Sequence, residues 1–273
     1  MNKNSFSMFN IPNLLTASNM VCGIFSILLT LSGRIDLAPY PIFLGAIFDF
    51  LDGFIARLLK QQGELGKQLD SLADMVTFGL APGIMMFVIL LNISSGNDNF
   101  FDCATCEYEK FEHWINIIFK QFHFEVLIAL LIPVFSMFRL AKFNLDTRQV
   151  EGFIGLNTPA NTLLLCTFPL ILAQDFDAGS VNFIARELVM QPFFIIPLIL
   201  VLSILLVSEI PIFSLKFKHF KWKGNEIRFI FLLICSLIIP LTLYWSLGII
   251  VILYLVLSIF DNLFKRKKHE IQS

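Results

Sequence analysis

Apolar runs of about twenty residues constrain this chain more than any other feature, because a hydrocarbon layer about 30 Å thick is crossed by a helix of about 20 residues. Eight such runs, separated by loop signals, fall near residues 12–32, 38–60, 68–93, 124–143, 158–174, 190–209, 228–245 and 246–263. Composition agrees: of 273 residues 56% are hydrophobic, 15% are charged and 31 are phenylalanine, far from the balance of a water-soluble domain. The pattern predicts an all-α, polytopic membrane helical bundle. Six spans occupy residues 1–209, a basic loop covers 210–227, and a two-helix appendage with a basic tail occupies 228–273. The last two runs are parted only by a tight turn near Trp245 and Ser246. The opening MNKNSFSMFNIPNLL lacks the compact basic region, apolar core and small-residue cleavage site of a secretory leader, so it reads as mature sequence entering the first span.

Net charge is near zero, but Lys and Arg are unevenly placed. Putting the N-terminus in the cytoplasm assigns to that side Lys3, the group Arg57, Lys60 and Lys67, the group Arg139, Lys142 and Arg148, the loop KFKHFKWKGNEIR at 216–228 and the KRKK tail. The other side keeps Arg34, Lys110, Lys120 and Arg186. That bias predicts an inner-membrane protein with both termini cytoplasmic. The basic loop, with its interleaved Phe and Trp, abuts the membrane and reads as a contact for anionic lipid rather than nucleic acid. The four histidines have no ligand spacing. Cys22, Cys166 and Cys235 lie in apolar runs as small core residues, and the single CxxC at Cys103 and Cys106 reads as a local disulfide or two idle thiols.

Against this background the stretch DFLDGFIARLLKQQGELGKQLDSLAD, residues 49–74, stands out. Asp49 and Asp52 are three apart and Asp70 and Asp74 four apart, so on helices each pair shares a face. A short turn containing GELGK joins the two segments, which brings four carboxylates to one membrane surface. A charged side chain within the apolar layer costs about 2.5–3.5 kcal/mol on insertion scales, and like charges add to this. A divalent cation is the natural compensator, and oxygen ligands select a hard ion such as Mg²⁺ or Mn²⁺, whose shell is commonly completed by water and substrate phosphate. Gly53, Ala56 and Gly66 beside the acids allow close helix packing or the approach of a bulky ligand.

Asp49-xx-Asp52-Gly53-xx-Ala56-Arg57, eight residues, then Gly66-xxx-Asp70-xxx-Asp74 resembles, in every fixed position, the motif of the CDP-alcohol phosphatidyltransferase family. The resemblance implies an integral membrane enzyme, usually a homodimer, that moves a phosphatidyl group from CDP-diacylglycerol to an alcohol and releases CMP. It implies that Asp49, Asp52, Asp70 and Asp74 hold one or two divalent ions, and that Asp74 is the general base. It also implies that Gly53, Ala56 and Gly66 line the cytidine pocket, with Arg57 contacting phosphate or orienting an aspartate.

The acceptor is narrowed by flanking stretches. IPNLLTASNMVCG at 11–23, DSLADMVTFGLAPG at 70–83, MFRLAKFN at 137–144, GLNTPAN at 155–161 and VSEIPIFSLK at 207–216 look like the phosphatidylserine synthase branch, which implies L-serine. Serine carries a carboxylate and an ammonium beside its hydroxyl, so its pocket needs a cation and polar groups. Arg139 and Lys142, three apart at the cytoplasmic end of the fourth span, are the candidates, with Thr77, Asn144 and Asn157 as further polar contacts. The alternatives are a phosphatidylglycerophosphate or phosphatidylinositol phosphate synthase, whose phosphorylated acceptors call for more convergent cations, and a divalent cation transporter, which calls for polar residues through the whole membrane.

Overall fold

The computed structural model describes residues 9–94, 124–145, 153–212, 222 and 225–272. Cys103 and Cys106, Arg148 and most of the 216–228 loop lie outside the described residues. Helices α1 (Ile11–Leu31) and α2 (Pro39–Leu58) open the chain. A long stretch follows, made of α3 (Glu64–Asp74), a π-helical segment (Met75–Leu80) and α4 (Ala81–Ser94). A 3₁₀ segment (Phe124–Leu130) leads into α5 (Leu131–Leu145). Then come α6 (Thr158–Leu172), α7 (Val181–Val189), α8 (Pro192–Val207), α9 (Glu226–Thr242) and α10 (Ser246–Gln272). Among the described residues the one sheet element is a two-residue antiparallel ladder of β1 (Phe153–Ile154) with β2 (Pro211–Ile212).

The chain is an integral membrane protein. Four helical stretches are long and apolar enough to cross a membrane, Ile11–Leu31, Glu64–Ser94, Phe124–Leu145 and Glu226–Asn262, and the pair α7 and α8 makes a fifth. Outward faces carry exposed Phe25, Ile47, Val201 and Leu233, as helices solvated by lipid tails do. The expected apolar runs are helical, but they are not eight straight spans. The third is interrupted by the π segment, the fifth is only 15 residues, and the sixth is bent by 66° between α7 and α8. The last stretch, although continuous enough in composition for one crossing, is a hairpin. Leu243 takes a φ of 40° at the end of α9, and the Phe231 and Tyr254 rings lie 5.8 Å apart, whereas 23 residues of straight helix would separate them by about 35 Å.

Helix ends follow local chemistry. Asn10 caps α1 by accepting from the Asn13 amide at 2.8 Å, and Asn157 caps α6 by accepting from the Ala160 amide at 3.1 Å. At the end of α2, Gln61 N donates to Ala56 O (2.9 Å) and Lys60 N donates to Arg57 O (3.3 Å), the paired bonds of a Schellman stop. Lys60 fills its left-handed position with φ 55°. That stop reverses the chain within a few residues and returns it as α3.

The helices α1 and α2 are antiparallel, with the Ser26 hydroxyl donating to Ala38 O at 2.7 Å. Their close approach needs Gly45, where an added Cβ would lie 2.9 Å from Asn19 Oδ1 and from Thr77 Cγ2. The main core joins α4, α5, α6, α8 and the terminal hairpin through Met86, Ile89, Ile132, Leu165 and Ile199, among others. A smaller core of Ala38, Ile42, Phe78, Ala81, Met85 and Cys166 lies beside α1 and α2. Cys22, Cys166 and Cys235 are buried free thiols, as expected of small core residues. The hairpin seats on α6 where Gly248 faces Thr167, with an added Cβ 3.0 Å from Thr167 Oγ1.

Candidate active site

Helix α1 packs along both α2 and α3 and leaves a cleft between them. Because α3 starts where α2 stops, the acid pairs of the two helices return to one level. One carboxylate oxygen from each of Asp49, Asp70 and Asp74 lies within 4.8 Å of the others. Asp52 stands apart from this triad, 5% exposed, accepting a hydrogen bond from the Thr16 hydroxyl and lining the cleft beside Asp70. Three of the four aspartates therefore form one cluster, and the fourth borders the space next to it.

The triad fits a divalent ion on its own terms. Its donors are all hard carboxylate oxygens, and Asp70 Oδ1 is buried without a hydrogen-bond partner. A buried acceptor in that state costs about 1–3 kcal/mol unless something fills it. Three carboxylates so close also repel, with no lysine or arginine side chain paired to them in an ion pair among the described residues. A cation bound between them answers both problems.

The cleft has a volume of about 410 Å³ and is lined by Asp52, Gly53, Ala56 and Arg57 from α2, Glu64, Gly66, Lys67 and Asp70 from α3, Pro12, Asn13 and Thr16 from α1, and the connecting residues 61–63. All four residues assigned to the nucleotide-lipid from the sequence, Gly53, Ala56, Arg57 and Gly66, line this single space. An added Cβ at Gly53 meets nothing closer than the Arg57 guanidinium at 3.7 Å, and at Gly66 nothing closer than Asn13 Oδ1 at 3.4 Å. The bare backbone at both positions therefore widens the cleft.

The acceptor candidates do not line this cleft. Arg139, 3% exposed, donates from Nε to Leu156 O at 3.2 Å and stacks its guanidinium 5.2 Å from the Phe143 ring centroid. Lys142 pairs with Glu209 at 3.3 Å and reaches Val207 O at 3.5 Å. Thr77 is fully buried and donates to Asn19 O at 2.9 Å, clamping α1 to the π segment. Asn144 donates to the Ser71 hydroxyl at 2.7 Å, which joins α5 to α3, and Asn157 is spent on its cap.

Two residues that hold the acids went unassigned in the sequence. Asn19 Nδ2 donates to Asp74 Oδ1 at 3.1 Å, and Thr16 donates to Asp52. A signal was present: Asn13, Thr16 and Asn19 recur every third residue in an otherwise apolar span, and all three are buried. A polar stripe inside a membrane helix marks the face turned toward other polar groups.

The comparisons with known proteins converge on one family. A family model described as CDP-alcohol phosphatidyltransferase matches residues 9–260. The chain is 28% identical over 216 residues to a CDP-diacylglycerol--serine O-phosphatidyltransferase of Bacillus subtilis, covering 79% of this chain and 94% of that protein. It is 27% identical over 260 residues to the protein of the same name from Helicobacter pylori, covering 94% and 92%. An archaetidylserine synthase of Methanothermobacter thermautotrophicus is 29% identical over 169 residues, 60% of this chain and 59% of that one. With the family match running through nearly every helix and Asp52 and Asp70 of the spaced aspartates lining one cleft, the chain belongs to the CDP-alcohol phosphatidyltransferase family.

Proposed function

We propose that the protein transfers the phosphatidyl group of CDP-diacylglycerol to the hydroxyl of L-serine, giving phosphatidylserine and CMP. The observation that carries this reading is the acid triad bordering a cleft floored by small residues, in a chain whose relatives named for serine transfer match over nearly their full length. Enzymes of this family depend on divalent metal. We assign Asp49, Asp70 and Asp74, with Asp52 beside them, as the ligands of one or two Mg²⁺ or Mn²⁺ ions. When bound, such an ion supplies positive charge against the diphosphate as negative charge builds on its oxygens.

The chain's own residues divide the remaining work. Gly53, Ala56 and Gly66 leave room for the cytidine diphosphate head, and Arg57 offers its guanidinium to a phosphate oxygen. Asp74, fixed by Asn19, takes the proton of the serine hydroxyl as that oxygen bonds to the phosphatidyl phosphorus. The bond from that phosphorus to the bridging oxygen breaks, and the electron pair leaves with CMP. Arg139 serves the serine carboxylate, Lys142 supports the same end of the pocket through its tie to Glu209, and Thr77 maintains the helix contact beneath. In our reading residues 1–209 carry the chemistry, 210–227 meet anionic lipid, and 228–273 brace the bundle. The protein works as a homodimer in the inner membrane with its site and both termini cytoplasmic.

Purified protein given CDP-diacylglycerol with L-serine, glycerol 3-phosphate or inositol phosphate should release CMP with serine. Release only with a phosphorylated acceptor overturns the assignment. Excess EDTA should abolish release, and Mg²⁺ or Mn²⁺ should restore it, whereas Ca²⁺, with its longer oxygen bonds, should restore much less. Ala56→Leu places a branched side chain in the cleft and should raise KM for CDP-diacylglycerol about tenfold or more while leaving KM for serine within twofold, since a crowded pocket loses on the order of 1–3 kcal/mol.

A further inference from the structure

Three buried polar side chains on α5, α6 and α8 have atoms that bond to nothing. Ser136 on α5 and Asn161 on α6 are 0% exposed and Ser203 on α8 is 1% exposed. The Ser136 hydroxyl, the Ser203 hydroxyl and both ends of the Asn161 carboxamide lack hydrogen-bond partners. Other hydroxyls of α6 settle their proton on a carbonyl, as Thr162 does on Phe78 O and Thr167 on Leu163 O. Ser136 and Ser203 do not. Each orphaned group destabilises the fold in an apolar surrounding, and three helices donating such groups at one height describe a place for a polar occupant.

Neighbouring contacts fix that height. Arg139 Nε bonds Leu156 O, and Ile132 shares a core with Leu165, so α5 and α6 run antiparallel with Ser136 and Asn161 opposite one another. Lys142 reaches Val207 O on α8, which brings Ser203 one turn further in, level with Arg139 and Ser136. Thr162 donates to Phe78 O at 2.8 Å, and a Cβ added to Gly79 would lie 3.1 Å from Ser136 Cβ. The three residues therefore flank the π segment about one turn deeper than Asp74.

We propose that Ser136, Asn161 and Ser203 form, with Arg139, the recess that receives the ammonium and carboxylate end of the acceptor, so that its hydroxyl is presented to Asp74. The proposal rests on the serine reading above. An ammonium needs acceptors, which the Asn161 carbonyl and the two hydroxyls supply, and a carboxylate needs donors, which Arg139 and the Asn161 amino group supply. A free amino acid satisfies the orphaned atoms from both sides. An acceptor carrying a phosphate and no ammonium leaves the Asn161 carbonyl unmatched, which makes these residues selective as well as binding.

The test titrates L-serine and CDP-diacylglycerol separately against full-length protein in mixed micelles with Mg²⁺. Asn161→Ala should raise KM for serine at least tenfold and Ser136→Ala and Ser203→Ala severalfold, with KM for CDP-diacylglycerol within twofold in each. A purely structural role would lower the unfolding temperature and kcat while leaving both KM values in place, and that result overturns the proposal. So does an unchanged serine KM in all three variants. If Asn161→Ala does not fold, the two serine variants carry the decision, with retained CDP-diacylglycerol binding showing that they are intact. A wild-type protein that fails to release CMP with serine would sink the serine reading itself, whereas normal wild-type turnover with unmoved variants sinks only the recess.

Discussion

Replacing Asp74 by Asn is expected to cut CMP release by at least about a thousandfold while leaving the protein folded. The amide keeps the size of the carboxylate, but it has no basic oxygen for the acceptor proton, a loss of about 10²–10⁴ in rate. It also removes one of the three anionic oxygens that lie within 4.8 Å of each other, weakening any bound cation. The same change relieves repulsion among the acids, so the unfolding temperature should hold or rise. Turnover measured beside thermal unfolding checks both halves. An Asp74→Asn variant that keeps a tenth of the activity would remove Asp74 from the proton-transfer role.

Gly23→Val should do the opposite, losing activity because the bundle itself comes apart. An added Cβ at Gly23 would sit 2.6 Å from Thr77 Oγ1, 2.8 Å from Thr77 Cα and 2.9 Å from Thr77 N. Two of those atoms are backbone, so α1 must move away from the π segment. That motion breaks the Thr77 to Asn19 bond one turn from where Asn19 holds Asp74. Overpacking of this kind costs about 3 kcal/mol or more. Thermal unfolding should show a large drop, whereas Gly63→Ala, where an added Cβ meets nothing within 4 Å, should be silent. Equal stability of the two variants would refute the packing account.

The aspartate spacing was legible in the sequence because helical periodicity turns gaps of three and four residues into shared faces, and because the apolar surroundings made four acids conspicuous. The helical bundle was legible for the same reason. Less could be read where tertiary contacts decide the local form. Lys60 takes a left-handed conformation that a glycine usually occupies, so the form of the stop near residue 60 does not follow from residue type. Asn19 and Thr16 are small polar residues whose purpose depends on what packs against them, and only α2 and α3 together reveal it. Asp52 has the spacing of a cluster member, yet the Thr16 hydroxyl and the wall of the cleft draw it aside. The break in the terminal hairpin was legible near Trp245 and Ser246, but its form, turned on the backbone of Leu243, was not. No periodicity announces the π winding of Met75–Leu80.

That winding also limits how the molecule can vary. A π turn carries a surplus residue relative to the α geometry on either side, and each residue of α-helix advances the azimuth by about 100°. Drawing all six residues of 75–80 into α winding would thus swing Asp70 and Asp74 around the helix axis relative to Ala81–Ser94, whereas losing the surplus residue together with the π winding would leave the two halves aligned. The segment acts as an indexing collar: it takes up one residue of length while the acids of α3 keep the orientation that α4 sets for them.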